Sequence, residues 1–187
     1  EDRAEELIEE FDARVADLTA TVASSDIRTL DLVLPTSDAG LVSVDTFGNE
    51  QLKAIGFAIP LEDELDADGG PFADLSLEQT VLLQSDALII TSIPTRVPDG
   101  ERVEAFQSSP LYSEIPAVQD GRVFFLDNVS FFGNVGLFPI LESIEGLVAE
   151  LTSGCARRLG RSYATVSAMR HATTRTSPGG RLEGGSP

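Results

Sequence analysis

Asp86-Ala87-Leu88-Ile89-Ile90-Thr91-Ser92 is the stretch that decides the fold. Residues 87–91 are almost entirely apolar, as expected of a strand covered on both faces in a parallel sheet. Upstream, Ser76-Leu77-Glu78-Gln79 opens a predicted helix from Leu75 to Gln84, with Ser76 as its cap. Downstream, Arg102-Val103-Glu104-Ala105-Phe106 reads as a short helix and Ser108 to Ile115 as loop and turn. Ala117 to Asp127 reads as a turn followed by a second strand, Val123 to Leu126. Phe138-Pro139-Ile140-Leu141 then leads into a closing amphipathic helix, Leu137 to Leu151. Its Ile140, Leu141, Ile144, Leu147, Val148 and Leu151 fall on one side.

Toward the amino end, Leu7, Ile8, Phe11, Val15, Leu18 and Val22 recur at three- and four-residue steps. This spacing predicts a helix from Asp2 to about Val22, a rod about 30 Å long at 1.5 Å per residue. Glu and Asp crowd its first turns, where the helix dipole favours them. Thr29 to Leu34 follows as a strand, then a loop from Pro35 to Gly40. Asn49 to Gly56 reads as a short helix ended by glycine, and Phe57 to Pro60 as a short strand. Glu62 to Gly70 reads as an acidic loop. Strands alternating with helices imply an α/β fold, a three-layer lobe with a parallel-type sheet and right-handed crossovers, preceded by the long N-terminal helix. The chain shows no internal repeat.

The 187 residues are 42% hydrophobic and 24% charged, ordinary values for a globular domain. No apolar run approaches the roughly 18 to 20 residues needed to span a bilayer. The chain does not open on Met or on a basic segment followed by an apolar one, and so reads as a mature product or a fragment. A lost lipid anchor would be its sole route to a membrane. Charge is lopsided: seven basic residues face thirty acidic ones before residue 151, whereas six arginines accompany Glu183 alone after it. An acidic body excludes nucleic acid, which requires clustered Lys and Arg. It reads as a solubilising surface suited to a salty or extracellular setting. Cys155 is the single cysteine, so no intramolecular disulfide forms and no paired metal-ligand spacing exists. From about Thr152 the apolar periodicity stops, and residues 152–187 are expected to be a disordered or non-native basic tail.

The order of elements from residue 1 to about 151 resembles the C-terminal lobe of the class III substrate-binding proteins. These deliver ferric siderophores, haem or cobalamin to ATP-binding-cassette (ABC) importers. The resemblance implies that residues 1–23 are an inter-lobe helix and residues 24–151 the C-terminal α/β lobe. It also implies a periplasmic or extracellular setting, with a lipoprotein anchor in some members. Family members carry a surface acidic residue that docks into arginine pockets of the permease. Ser76-Leu77-Glu78-Gln79 before Ala87-Leu88-Ile89-Ile90 matches that arrangement, which assigns docking to Glu78. A carboxylate on a rigid turn can accept a bidentate arginine. Read without the resemblance, Glu78 belongs to a helix capping arrangement.

Ligand-facing residues in such a lobe belong in loops at the carboxyl ends of the strands, where open α/β sheets leave a crevice. That points to Thr36, Ser37 and Asp38 after the first strand and to Thr91, Ser92, Thr95 and Arg96 after the Ala87 strand. It also points to Ser130, Phe131, Phe132 and Asn134 after the last strand. Arg96 is the anion partner for a siderophore carboxylate or catecholate, and Phe131 and Phe132 pack on a macrocycle or aryl ring. The alternative is that Arg96 is a plain surface residue and the two phenylalanines are core plugs. No Trp is present, whereas siderophore receptors often use several Arg and aromatic groups.

Enzyme signatures are absent: no Gly-x-Gly-x-x-Gly follows a strand, and neither a phosphate loop nor a Gly-x-Ser-x-Gly elbow occurs. His171, the sole histidine, lies in the tail. Glu64-x-Asp66-x-Asp68-Gly69 starts like a calcium loop, but Leu75 stands at the twelfth position where a bidentate Glu belongs. The expectation is therefore a non-enzymatic substrate-binding component of an importer for iron-siderophore complexes. It needs no cofactor, and its partners are a small iron chelate and the ABC permease. The competing readings are a truncated or vestigial α/β domain without ligand binding and a small α/β enzyme.

Overall fold

The computed structural model describes residues 2–36, 40–44, 46–65, 70–92, 99–127 and 136–152. Helix α1 (Asp2–Ser24) leads into strand β1 (Leu30–Pro35), which turns back as β2 (Gly40–Ser43). Helices α2 (Phe47–Ala54) and α3 (Leu61–Glu64) precede β3 (Phe72–Leu75) and a 3-10 turn (Glu78–Leu82). Then come β4 (Ala87–Ser92), α4 (Asp99–Gln107), a 3-10 turn (Tyr112–Glu114), α5 (Pro116–Gln119), β5 (Val123–Asp127) and α6 (Leu137–Thr152).

The five strands form one sheet in the order β3-β2-β1-β4-β5. Its centre is parallel: Leu30 to Val33 of β1 lie beside Ala87 to Ile90 of β4, and Leu88 to Ser92 of β4 beside Val123 to Asp127 of β5. β2 and β3 extend it antiparallel. Burial on both faces explains the apolar runs of β1 and β4, because neither strand has a side that meets water. Leu30, Leu32, Ala87, Ile89, Phe124 and Leu126 point to one face, and α1, α2 and α6 close over them. Val33, Leu88 and Ile90 point to the other and pack with Leu61, Val103, Phe106, Tyr112 and Ile115. The result is a helix-sheet-helix sandwich. Helix α6 buries the six apolar residues its spacing puts on one side, each adding about 1.5–3 kcal/mol of transfer free energy.

Several short elements differ from the sequence expectation. Gly40–Ser43, expected as the end of a loop and the residues after it, is a strand. Gly40 is required there: an added Cβ would lie 2.9 Å from Val33 Cγ1 and 3.4 Å from the Leu34 carbonyl oxygen. Phe72–Leu75 is also a strand, so the helix expected from Leu75 to Gln84 contracts to a 3-10 turn at Glu78–Leu82. Phe57 to Pro60 makes a single parallel bridge, Thr29 with Ala58, instead of a strand. Pro60 has no N–H to extend the ladder and caps α3, which takes up the start of the expected acidic loop. At the end of α2, Gly56 takes a φ of +108°, the glycine stop expected of this helix.

Candidate functional site

The sheet register gathers several strand ends at one edge. Pro35, the last residue of β1, pairs with Gly40, the first of β2, and Gly40 pairs with Leu75, the last of β3. Ser92, the last of β4, pairs with Asp127, the last of β5. The carboxyl ends of β1, β3, β4 and β5 therefore share one edge, where open α/β sheets bind ligands.

Thr36 follows β1 at this edge and is half-buried. Thr91 lies inside β4, not after it. It is 1% exposed, and its hydroxyl donates to the Val33 carbonyl at 3.4 Å, which joins the two central strands. Ser92 closes β4 opposite Asp127. Ser37, Asp38, Thr95, Arg96, Ser130, Phe131, Phe132 and Asn134 lie outside the described residues, as does the tail from residue 153 with Cys155 and His171.

Glu78 begins the 3-10 turn that follows β3, whose last residue, Leu75, stands at this edge. The cap is built without it. Gln79 N donates to Ser76 Oγ at 3.3 Å, and Ser76 N donates back to Gln79 Oε1 at 2.9 Å. This reciprocal pair is a capping box with Gln as its second member. The Glu78 side chain is exposed, as are the aliphatic side chains of Leu77 and Val81.

The opposite edge is closed by two carboxylates. Asp31 is 3% exposed and accepts from Ser85 N at 3.0 Å and Ser85 Oγ at 2.9 Å. Burial raises its pKa to about 6 against the pull of those two bonds. A groove of about 340 Å³ opens beside this pair, lined also by Thr29, Glu64, Val81 and Gln84. Asp86 accepts from Arg28 N and Thr29 N at 2.8 and 2.9 Å, and its own N–H donates to Thr29 Oγ1 at 2.8 Å. Burial works to raise the Asp86 pKa, but these bonds and the charge of Arg122 together hold it below the usual carboxylate range. These groups pin the start of β4 to β1. Pattern reading missed Asp31 because a carboxylate inside Leu30-Asp31-Leu32 looks like a solvent-facing position of an edge strand. A buried serine 54 residues away gives no local signal.

A further polar network holds α2. The Asn49 side chain is fully buried and donates to the Ser43 carbonyl and to Glu62 Oε1, while Lys53 bridges Glu50 and Glu62. Among the described residues there is no histidine or cysteine, and no cluster of three acidic residues that would hold a metal. The described parts of this edge offer backbone, hydroxyl and charged groups suited to binding.

The model of the family described as "Periplasmic binding protein" matches residues 1–129, and the chain belongs to that family. Solved structures agree on the fold. A siderophore periplasmic binding protein from the fuscachelin gene cluster of Thermobifida fusca superposes with a TM-score of 0.63 at 21% identity, covering 82% of this chain and 55% of that one. Staphylococcus aureus SirA complexed with staphyloferrin B gives 0.66 at 19% identity, covering 81% and 56%. The haem-binding RhuT of Roseiflexus sp. RS-1 gives 0.60 at 20% identity, covering 83% and 57%. The chain thus spans little more than half the length of these structures. No curated protein matches it. Among the described residues, no helix is long and apolar enough to cross a membrane.

Proposed function

We propose that this chain is the C-terminal lobe of a substrate-binding component of an ABC importer for iron-siderophore complexes. Residues 1–23 are its inter-lobe helix and residues 24–151 its α/β body. The observation that carries the reading is the shared edge: the carboxyl ends of four strands lie together at one side of the sheet. Ligand rests on this edge against a second lobe, and Thr36, Ser92 and the segments after β1, β4 and β5 line its wall. Ser37, Asp38, Thr95, Arg96, Phe131, Phe132 and Asn134 are proposed contacts in those segments, and Thr91 fixes the strand that carries two of them. Glu78 accepts an arginine of the permease. The role is binding without catalysis, in a periplasmic or extracellular protein. Siderophore and haem binding by the structural neighbours supports the ligand class.

The test is calorimetric titration of ferric siderophores, haem and cobalamin into the chain and into a form extended at its amino end by a second lobe of the family. Tight binding by the extended form and weak binding by the chain alone is the expected result. No binding by either form removes the reading.

A further inference from the structure

Among the described residues, the exposed large apolar side chains are unevenly placed. Leu77 and Val81 belong to the Glu78 turn and Phe125 to β5; the other three, Ile8, Phe47 and Leu137, are 60%, 50% and 53% exposed on α1, α2 and α6. These three adjoin one another. Phe47 and Leu137 line a single small hollow with Phe11, and Ile8 stands one turn before Phe11 on α1. An apolar surface shared by three helices marks an interaction site. Its rim is acidic: Glu5 and Asp12 flank Ile8 at helical spacing, both exposed and without an ion pair among the described residues. Seven of the first twelve residues are acidic and Arg3 alone is basic. A second copy turned face to face would set like charges together, so the charge calls for a cationic occupant.

The chain carries such a segment. Between Arg157 and Arg170 stand Arg158 and Arg161, with Leu159, Tyr163, Val166 and Met169 among them and no acidic residue. Too polar to bury a core of its own, a stretch of this kind orders against a surface that supplies one. Reach is sufficient. Phe11 meets Phe138 and Arg14 meets Glu145, so α1 and α6 run in the same direction and the apolar face lies at their amino ends. Helix α6 ends at Thr152, about 24 Å from its start at 1.5 Å per residue. The residues from 153 to Leu159 alone span up to about 24 Å when extended. Tethered this closely, the segment meets the face at an effective concentration on the order of millimolar.

We infer that residues 157–170 dock on the α1–α2–α6 face of their own chain, covering Ile8, Phe47 and Leu137 with their apolar side chains and setting their arginines against the Glu5 and Asp12 rim. The face and its occupant match in both respects: apolar against apolar at the centre, guanidinium against carboxylate at the margin. The inference is independent of the ligand reading of the sheet edge.

The experiment is paramagnetic NMR on the full chain carrying Cys155→Ser and Ser167→Cys, with a nitroxide on the introduced thiol and the same sample after reduction of the nitroxide as reference. The amide signals of Ile8, Phe47 and Leu137 lose intensity, while those of Val103 and Phe106, packed on the other face of the sheet, keep theirs. Adding Arg157→Glu, Arg158→Glu and Arg161→Glu restores the lost intensity. Signals at Ile8, Phe47 and Leu137 that are untouched by the nitroxide overturn the inference, and so does a loss that the three charge reversals leave unchanged. Mixing nitroxide-bearing chains with isotope-labelled chains that lack the nitroxide separates the remaining case: a loss of equal size in the mixture places the segment on a second copy and overturns docking within the chain. Every substitution lies outside the described fold, and each reduced reference spectrum reports that the fold is intact.

Discussion

Arg14 donates from Nε and Nη2 to the two carboxylate oxygens of Glu145, both at 2.7 Å, and so ties the middle of α1 to α6 across 131 residues. The same guanidinium lies 5.7 Å from the ring centroid of Phe138, which meets Phe11 edge-on at 6.1 Å. Below this clasp, Leu18 and Val22 enter the core; above it, Arg3 to Glu6 are exposed. The helix is thus anchored by its carboxyl half, and its first turns are exposed. Arg14→Ala lowers the melting temperature, and the difference from wild type shrinks at 1 M salt, where charge is screened over about 3 Å. Equal losses at low and high salt would locate the effect in packing against Phe138 instead.

Asp31 makes the fold sensitive to pH in an uncommon direction. Its folded pKa, about 6, lies above its unfolded value of about 3.9. Its contribution is therefore fully present below about pH 4 and is lost as pH rises through 6. Between pH 4 and 7 the unfolding free energy of D31N should improve relative to wild type by about 3 kcal/mol. Asp86 and Glu145 act oppositely. Their lowered pKa values give stability that is present above the unfolded values and lost as acid protonates them. Comparing D31N with wild type at each pH cancels those terms. A constant difference across the range would show that Asp31 stays ionised.

Lys53, the sole lysine of the chain, is held by Glu50 and Glu62, and those hydrogen bonds raise its pKa above the ordinary lysine value. Less neutral amine is available to react. Mass spectrometry of the chain during acylation at pH 8.5 should find Lys53 modified more slowly than in Glu62→Gln. Equal rates would show that the ion pairs do not restrain the amine.

Ile144 is 1% exposed at the centre of the α6 face. Ile144→Ala should cost about 2–5 kcal/mol in denaturant unfolding. Glu78→Ala, on an exposed position outside the capping box, should change stability by no more than about 0.5 kcal/mol. It should nevertheless abolish capture of the ligand-loaded two-lobed form by its permease in nanodiscs. Capture unchanged by the substitution would remove Glu78 from docking.

Legibility in the sequence followed the range of the physics. Strands β1 and β4 and helices α1 and α6 were readable because burial imposes runs or three- and four-residue spacing that no other structure produces. β3 was hidden because Phe72-Ala73-Asp74-Leu75 alternates for only four residues and abuts a true capping signal at Ser76 and Gln79. The crevice edge was legible as a consequence of parallel topology, and Thr36 and Ser92 stand at it. Thr91 lies within β4, as the apolar run predicts, and its hydroxyl donates to the Val33 carbonyl, a partner no local pattern signals.

In the proposed receptor, ligand is met at the carboxyl edge of the sheet. It is tested by a map of backbone amide NMR shifts of the chain on adding a gallium(III)-loaded siderophore, the diamagnetic counterpart of the ferric complex. Saturable shifts are expected to concentrate at Thr36, Gly40, Leu75, Ser92 and Asp127, with Thr29, Ser85 and Arg122 at the far edge unmoved. Shifts centred on the far edge, or none at millimolar ligand, would contradict it.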